Sequence, residues 1–386
     1  MPNVRRDALD CHLRARRARA LPHVNAVLAR GVAFVLALVV SSAGPLYAQA
    51  TIVELNDAGW KAFRDGNTRR ALSLFDEALT MRPNDPVLLM GAGSALHAER
   101  RHREAMVRLR RAIALRPDLK QASVLLGHIA FEEGDVALAI KTYEDARKHA
   151  PDDPVLLSTL NGWKRETDAH RTFEEARYDR FRVMFEGRAE QSLATQATGI
   201  LNSAFWRIGE KLGNYPTSTI VAVLYTEQQF RDITRAPDWS GGQYDGRIRI
   251  PVAGASRNPE LFEHILVHEL THAVLDAIAG RRVPTWLNEG LAQYFDGSDP
   301  EEARRRLKAV GRTIPLKALE RGFGHLNALQ AQVAYDESLL ATHVMLDRPG
   351  FGWHVLLSRL AGGQSFGEAI PNFGFSYEDL EAGFTR

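Results

Sequence analysis

The sequence predicts a multidomain protein: an all-α helical repeat array followed by an α+β domain. Three observations carry this. A period of 34 residues runs between 52 and 153, and beyond 172 the apolar pattern alternates between strand and helix. Within that second part, His268-Glu269-Leu270-Thr271-His272 precedes Trp286-Leu287-Asn288-Glu289-Gly290-Leu291-Ala292. The chain has 386 residues, 45% hydrophobic and 25% charged, which is ordinary globular material with room for two domains.

The first 50 residues stand apart. Residues 1–30 hold seven arginines against Asp7 and Asp10, and the apolar run Val32 to Val40 leads to Ser41, Ser42, Gly44 and Pro45, then Ala48-Gln49-Ala50. This reads as a signal peptide, or an N-terminal anchor if it is left uncleaved, over 1–50. The mature chain is then expected in the periplasm or secreted, touching a membrane only if the segment stays. The single cysteine, Cys11, precedes the apolar run, so it is not a lipoprotein cysteine and the mature chain carries no disulfide. Seven of the 49 basic and two of the 47 acidic residues fall in 1–50, leaving 42 against 45 and a net charge of −3. Nothing in that balance supports a nucleic-acid partner.

The array is expected over 51–165. Pro83, Pro117 and Pro151 share one spacing, as do Gly59, Gly93 and Gly127; Ala71, Ala105 and Ala139; Phe75, Leu109 and Tyr143; and Ala78, Ala112 and Ala146. Small residues let paired helices approach, the large apolar residue fills the gap between them, and the proline stops the second helix. Leu156, Leu157, Leu160 and Trp163 belong to a closing helix. The pattern resembles tetratricopeptide (TPR) repeats, which implies a surface for a protein or peptide partner, or else a platform for the domain that follows. Arg100, Arg101, Arg103, Arg108, Arg110 and Arg111 make the second repeat basic: either a site for an acidic ligand or a solvated face.

Lys164 to Arg171 mixes charges without apolar periodicity and is expected to be a solvated connector. The second domain then spans 172–386. Phe181 to Phe185 suggests a strand, Ser192 to Leu212 an amphipathic helix, Thr219 to Tyr225 a β-branched strand, and Thr226 a capped helix start. Gln243 to Pro251 suggests an edge strand introduced by Gly241-Gly242, serving either to hold an extended substrate or only to complete the sheet.

The chemistry rests on the histidine motif. Two histidines four residues apart project from one helix face and can grip one ion, with Glu269 beside it as a base. Phe262, Ile265, Leu266, Val274, Leu275 and Ile278 give that helix a buried setting, and Gly280 ends it. A second helix starting near Pro284 to Trp286 carries Glu289, which supplies the third ligand of a catalytic zinc and leaves the fourth position to water. These residues resemble the gluzincin branch of the zinc metallopeptidases, closest to peptidase MA-like domains. The likeness extends more loosely to Ala334-Tyr335 with Ser338 and to Gly363 through Ile370. It implies a zincin-like metallopeptidase domain with Zn2+ on His268, His272 and Glu289, Glu269 as catalytic base, and a peptide or protein substrate. The Gly-x-Met-Glu-Asn segment of the aminopeptidase members has no counterpart here, so the likeness stops short of an aminopeptidase. Tyr335 is the candidate donor to the oxyanion, with His343 and His325 as alternatives. His264 is expected in the core or beside a ligand, and Gln293 to orient a ligand. The rival reading is a non-enzymatic TPR scaffold or assembly protein with a degenerate peptidase-like domain. The presence of Glu269 weighs against it, since a structural zinc site needs no base.

Overall fold

The computed structural model describes residues 51–384 except 188, 189, 235–240, 253, 254 and 256. The leader read in 1–50 lies outside the described residues. Among the described residues no helix is long and apolar enough to cross a membrane.

The array comprises three helical hairpins and a closing helix. They are α1 (51–64) with α2 (Thr68–Met81), α3 (Pro86–Ala98) with α4 (His102–Leu115), and α5 (Lys120–Glu132) with α6 (Val136–Arg147), followed by α7 (Pro154–Ala169). The 34-residue registers are its packing plan. Ala71, Ala105 and Ala139 are fully buried, as are Phe75, Leu109 and Tyr143. Each large side chain sits on the glycine of the helix before it: a Cβ on Gly59 would stand 2.7 Å from the Phe75 ring, and one on Gly93 2.8 Å from Leu109. Asp85 and Asp153 cap α3 and α7 by accepting from Val87 and Leu88 and from Val155 and Leu156, with Pro86 and Pro154 in the first turns. The bend inside every hairpin uses one left-handed residue at the same register, Gly66 (φ +78°), Arg100 (φ +60°) and Gly134 (φ +83°).

The expected solvated connector does not exist as such. Helix α7 continues through Ala169 into a short turn at His170–Thr172, and Glu166, within the expected connector, is buried. A mixed-charge stretch reads as solvated only while its ion partners, remote in sequence, are unknown.

Those partners lie in the second domain, on a five-stranded sheet ordered β1 (Phe173–Tyr178), β2 (Phe181–Glu186), β3 (Ile220–Tyr225), β5 (Ile248–Pro251), β4 (Gln243–Tyr244). The β2–β3 and β3–β5 pairs are parallel; the outer pairs are antiparallel. Helix α8 (Gln191–Leu212) crosses from β2 to β3, and α9 (Glu227–Thr234) follows β3, its start closed by reciprocal Thr226 and Gln229 hydrogen bonds. The expected edge strand Gln243 to Pro251 is instead a hairpin. It breaks at Gly246 (φ +105°), so β5 is interior and only the two-residue β4 forms the edge.

Strand alternation gives β5 two chemistries. Ile248 and Ile250 join the core made with α8 and with α10 (Pro259–Ala279). Arg247 and Arg249 lie buried on the other side, where α7 docks. Glu166 receives Arg247 Nη1 at 3.0 Å and Arg249 Nη1 and Nη2 at 3.0 and 3.1 Å; Arg249 Nε also reaches Asp245 at 3.0 Å. Tyr225 Oη accepts from Arg249 at 2.9 Å and lies 2.8 Å from His170 Nε2, and the Arg247 guanidinium covers the Phe131 ring at 4.5 Å. Burial opposes the charge on Glu166, yet Arg249 and Arg247 hold its carboxyl below the usual value. After α10 come α11 (Thr285–Asp296), α12 (Pro300–Val310), α13 (Ala328–Leu346), α14 (Trp353–Ala361), α15 (Phe366–Ala369) and α16 (Tyr377–Ala382).

Candidate functional site

Helix α10 is apolar on nearly all sides, with Leu266, Leu270 and Val274 fully buried, so the polar triplet His268, Glu269 and His272 is held in a rigid, water-poor setting. Helix α11 begins at Thr285, anchored by fully buried Trp286, whose ring meets Phe366 of α15 edge-on at 5.0 Å. Through Phe366 the Gly363 to Ile370 stretch packs on the start of α11. Gly290 explains the turn after Glu289: a Cβ there would collide with the Ser338 carbonyl and the Thr342 hydroxyl of α13. Only glycine lets α11 sit close enough to α13 to aim Glu289 at α10.

The three expected ligands converge. One donor atom from each of His268, His272 and Glu289 lies within 4.8 Å of the others, with Glu289 Oε2 3.5 Å from His268 Nε2 and 3.6 Å from His272 Nε2. Those separations are long for hydrogen bonds. Donors placed about 2.0–2.1 Å from one tetrahedral zinc stand roughly 3.4 Å apart, so the spacing suits an ion among them. Glu289 Oε2 is buried and makes no hydrogen bond. A buried carboxylate oxygen without a donor is costly, and a cation removes that cost. Two imidazoles and a carboxylate form a donor set suited to zinc.

The far side of each imidazole is fixed. His268 Nδ1 donates to Asp296 Oδ2 at 2.7 Å, and His272 Nδ1 donates to Asn288 Oδ1 at 3.1 Å, so both Nε2 atoms face Glu289. Asp296 is held in turn by the Ser298 N–H and hydroxyl at 2.9 and 2.7 Å, after Gly297 (φ +90°) ends α11. Burial opposes a charge on His268, but Asp296 and Glu289 outweigh it and raise its pKa to about 10. Burial likewise opposes the charge on Glu289, and His272 and His268 overcome it, keeping the carboxyl below its usual value. The pocket therefore draws positive charge.

Glu269 is buried, and burial first, then Glu289 and Asp245, push its pKa up against the pull of His272 and His268. The backbone entering β4 passes directly over it: a methyl on Gly242 would stand 3.0 Å from Glu269 Oε1. Tyr335, half-buried on α13, packs edge-on against Phe323 at 5.2 Å. Burial, then the charges of Glu289 and Glu269, keep its phenol well above the ordinary value, so it remains a donor.

Other expectations fare differently. His264 lies beside the ligands, its Nδ1 donating to the Asp296 carbonyl at 3.1 Å. Gln293 meets the backbone of a ligand rather than its side chain: its Nε2 donates to the Glu289 carbonyl at 3.4 Å and to the Tyr335 carbonyl at 2.8 Å, which locks α11 to α13. His343 packs on Tyr294 at 5.3 Å with Asp347, Arg304 and Lys211 as its charged neighbours, and His325 is exposed; neither has a contact with the ligand group. Asp296 and Asn288 escaped the sequence reading as orienting residues. Asn288 stands inside the Asn-Glu-Gly turn itself, and Asp296 lies two helical turns after Glu289, on the same face.

Comparison with known proteins agrees with this division. Residues 201–385 match the family model of the Peptidase MA superfamily, and residues 96–160 that of the tetratricopeptide repeat. Among solved structures the chain is similar to the first TPR of Spaghetti (RPAP3) bound to the HSP90 peptide SRMEEVD. That match has 21% identity, 31% of this chain and 97% of that one, and a TM-score of 0.30. It is also similar to the Sgt2 TPR domain from Aspergillus fumigatus, with 23% identity, 30% and 79% coverage, and a TM-score of 0.29. Comparison with curated proteins gives no match. The molecule thus joins a helical array that matches the tetratricopeptide-repeat model to a mixed domain that matches the Peptidase MA superfamily model.

Proposed function

We propose that the protein is a zinc-dependent peptidase that hydrolyses peptide bonds, with its repeat array receiving a protein or peptide partner. The observation that carries this is the convergence of two imidazole nitrogens on the donor-less Glu289 Oε2, with a second buried carboxyl, Glu269, beside them. When bound, zinc supplies Lewis acidity, activating a water and polarising the scissile carbonyl. Glu269, whose burial raises its pKa above the usual carboxyl value, accepts the proton of the attacking water and returns it to the leaving amine. Tyr335, protonated, donates to the oxygen on which negative charge develops. Asp296 and Asn288 hold the ligand imidazoles in the required tautomer. The short β4 edge beside Glu269 offers main-chain groups to an extended substrate. The basic leader supports export to the periplasm or beyond.

The test is Glu269→Gln, which preserves shape but cannot take a proton. With zinc content matched, peptide cleavage is expected to fall at least about a hundredfold while metal binding and melting temperature hold. Equal cleavage by both proteins removes Glu269 as base; no cleavage by wild type in a broad peptide screen favours a scaffold.

A further inference from the structure

The array contains a second convergence of metal-binding side chains. His97 near the end of α3, His102 at the start of α4 and Glu132 at the end of α5 each place a donor atom within 4.8 Å of the others. His97 Nδ1 and His102 Nε2 are buried and make no hydrogen bond. His102 Nδ1 donates to Glu133 Oε1 at 2.6 Å, which leaves Nε2 with the free lone pair, the arrangement His268 has with Asp296.

The repeat supplies its own control. At the register of His97 the neighbouring hairpins carry Phe63 and Phe131, and at the register of His102 they carry Thr68 and Val136. The second hairpin alone replaces these packing residues with imidazoles, and two buried ring nitrogens without partners are a cost that nothing in repeat packing requires. Between the two histidines lies Arg100, left-handed where the other hairpins use glycine, with its guanidinium 2.9 Å from Asp276 of α10. A non-glycine residue there is strained and is held in place by its surroundings.

We propose that His97, His102 and Glu132 form a second zinc site, which clasps α3, α4 and α5 where the array meets the helix of His268 and His272. Two imidazoles and a carboxylate leave its fourth position to water. The site is independent of the catalytic reading.

Elemental analysis of the full chain after equilibration with zinc and exhaustive dialysis tests it. Wild type is expected to hold two zinc ions per chain, and His97→Phe and His102→Thr, which install the first hairpin's own residues, one each. In a His272→Ala/Glu289→Ala background the remaining ion should disappear on adding His97→Phe. There, added zinc should raise the melting temperature only while His97 and His102 are present. A single ion removed by His97→Phe but not by His272→Ala keeps this site and removes the other. Wild type saturating at one ion that His97→Phe retains, or array variants holding as much zinc as wild type, overturns the proposal.

Discussion

The two sides of β5 bury charge in opposite ways. Toward α7, Glu166 and Asp245 meet Arg247 and Arg249 with Tyr225 and His170 closing the cluster, and every charge has a partner. Toward α11, Glu269 and Glu289 lie beside imidazoles already committed through Nδ1 to Asp296 and Asn288, and Glu289 Oε2 has no donor. One cluster is complete and serves docking; the other leaves a buried carboxylate oxygen without a donor, as the proposed metal site requires. Completeness of pairing, rather than depth of burial, separates a structural charge cluster from a functional one.

Three substitutions sharpen that contrast. The largest effect is expected from Glu166→Ala, which strands Arg247 and Arg249: unfolding stability should drop by about 3–5 kcal/mol in denaturant titration, with zinc stoichiometry unchanged. A loss under 1 kcal/mol would show that the cluster is solvated after all. Asp296→Asn comes next. It removes the charge that orients His268, and zinc affinity or peptide cleavage should weaken about 10- to 100-fold, whereas the fold should survive. Unchanged affinity by competitive chelation would make Asp296 a mere helix end.

The smallest effect concerns Glu337 on α13, fully buried with one oxygen accepting from the Ile314 N–H at 2.8 Å and the other without a donor. Burial raises its pKa to about 8. Its folded pKa exceeds the unfolded one, so the folded state binds the extra proton, and stability is lost as pH rises from about 4.5 to about 8. Glu337→Gln keeps the hydrogen bond and escapes this loss. Its melting temperature should match wild type near pH 5 and exceed it by roughly a few degrees at pH 8. Parallel pH profiles of the two proteins would refute this.

The repeat period, the span of α8, the end of α10, the start of α11 and the grouping of His268, His272 and Glu289 were legible, because each follows from spacing along a helix or a repeat or from a motif. What stayed hidden depended on partners remote in sequence. Glu166 reads as solvent-facing until Arg247 and Arg249 arrive from β5. The hairpin at Gly246 hides inside an alternating run, since the turn reverses direction without disturbing the apolar pattern. Gln293 has the right spacing to reach the Glu289 backbone, but its shorter hydrogen bond goes to α13, which sequence spacing does not show. Tyr335 could be nominated but not positioned, because its approach depends on how closely Gly290 lets α13 pack.

Helix α7 carries a mechanical consequence. It runs unbroken from the third hairpin to within a short turn of β1, and its own Glu166 is ion-paired into the sheet. A flexible tether lets a captured chain search for a catalytic centre over a wide range of distances; a stiff, ion-paired helix does not. Whatever the array holds is carried at one fixed span and bearing from Glu269. On the proposed peptidase reading, the molecule would then select a cleavage position as a ruler does, by the length of chain between the gripped segment and the bond that reaches the base.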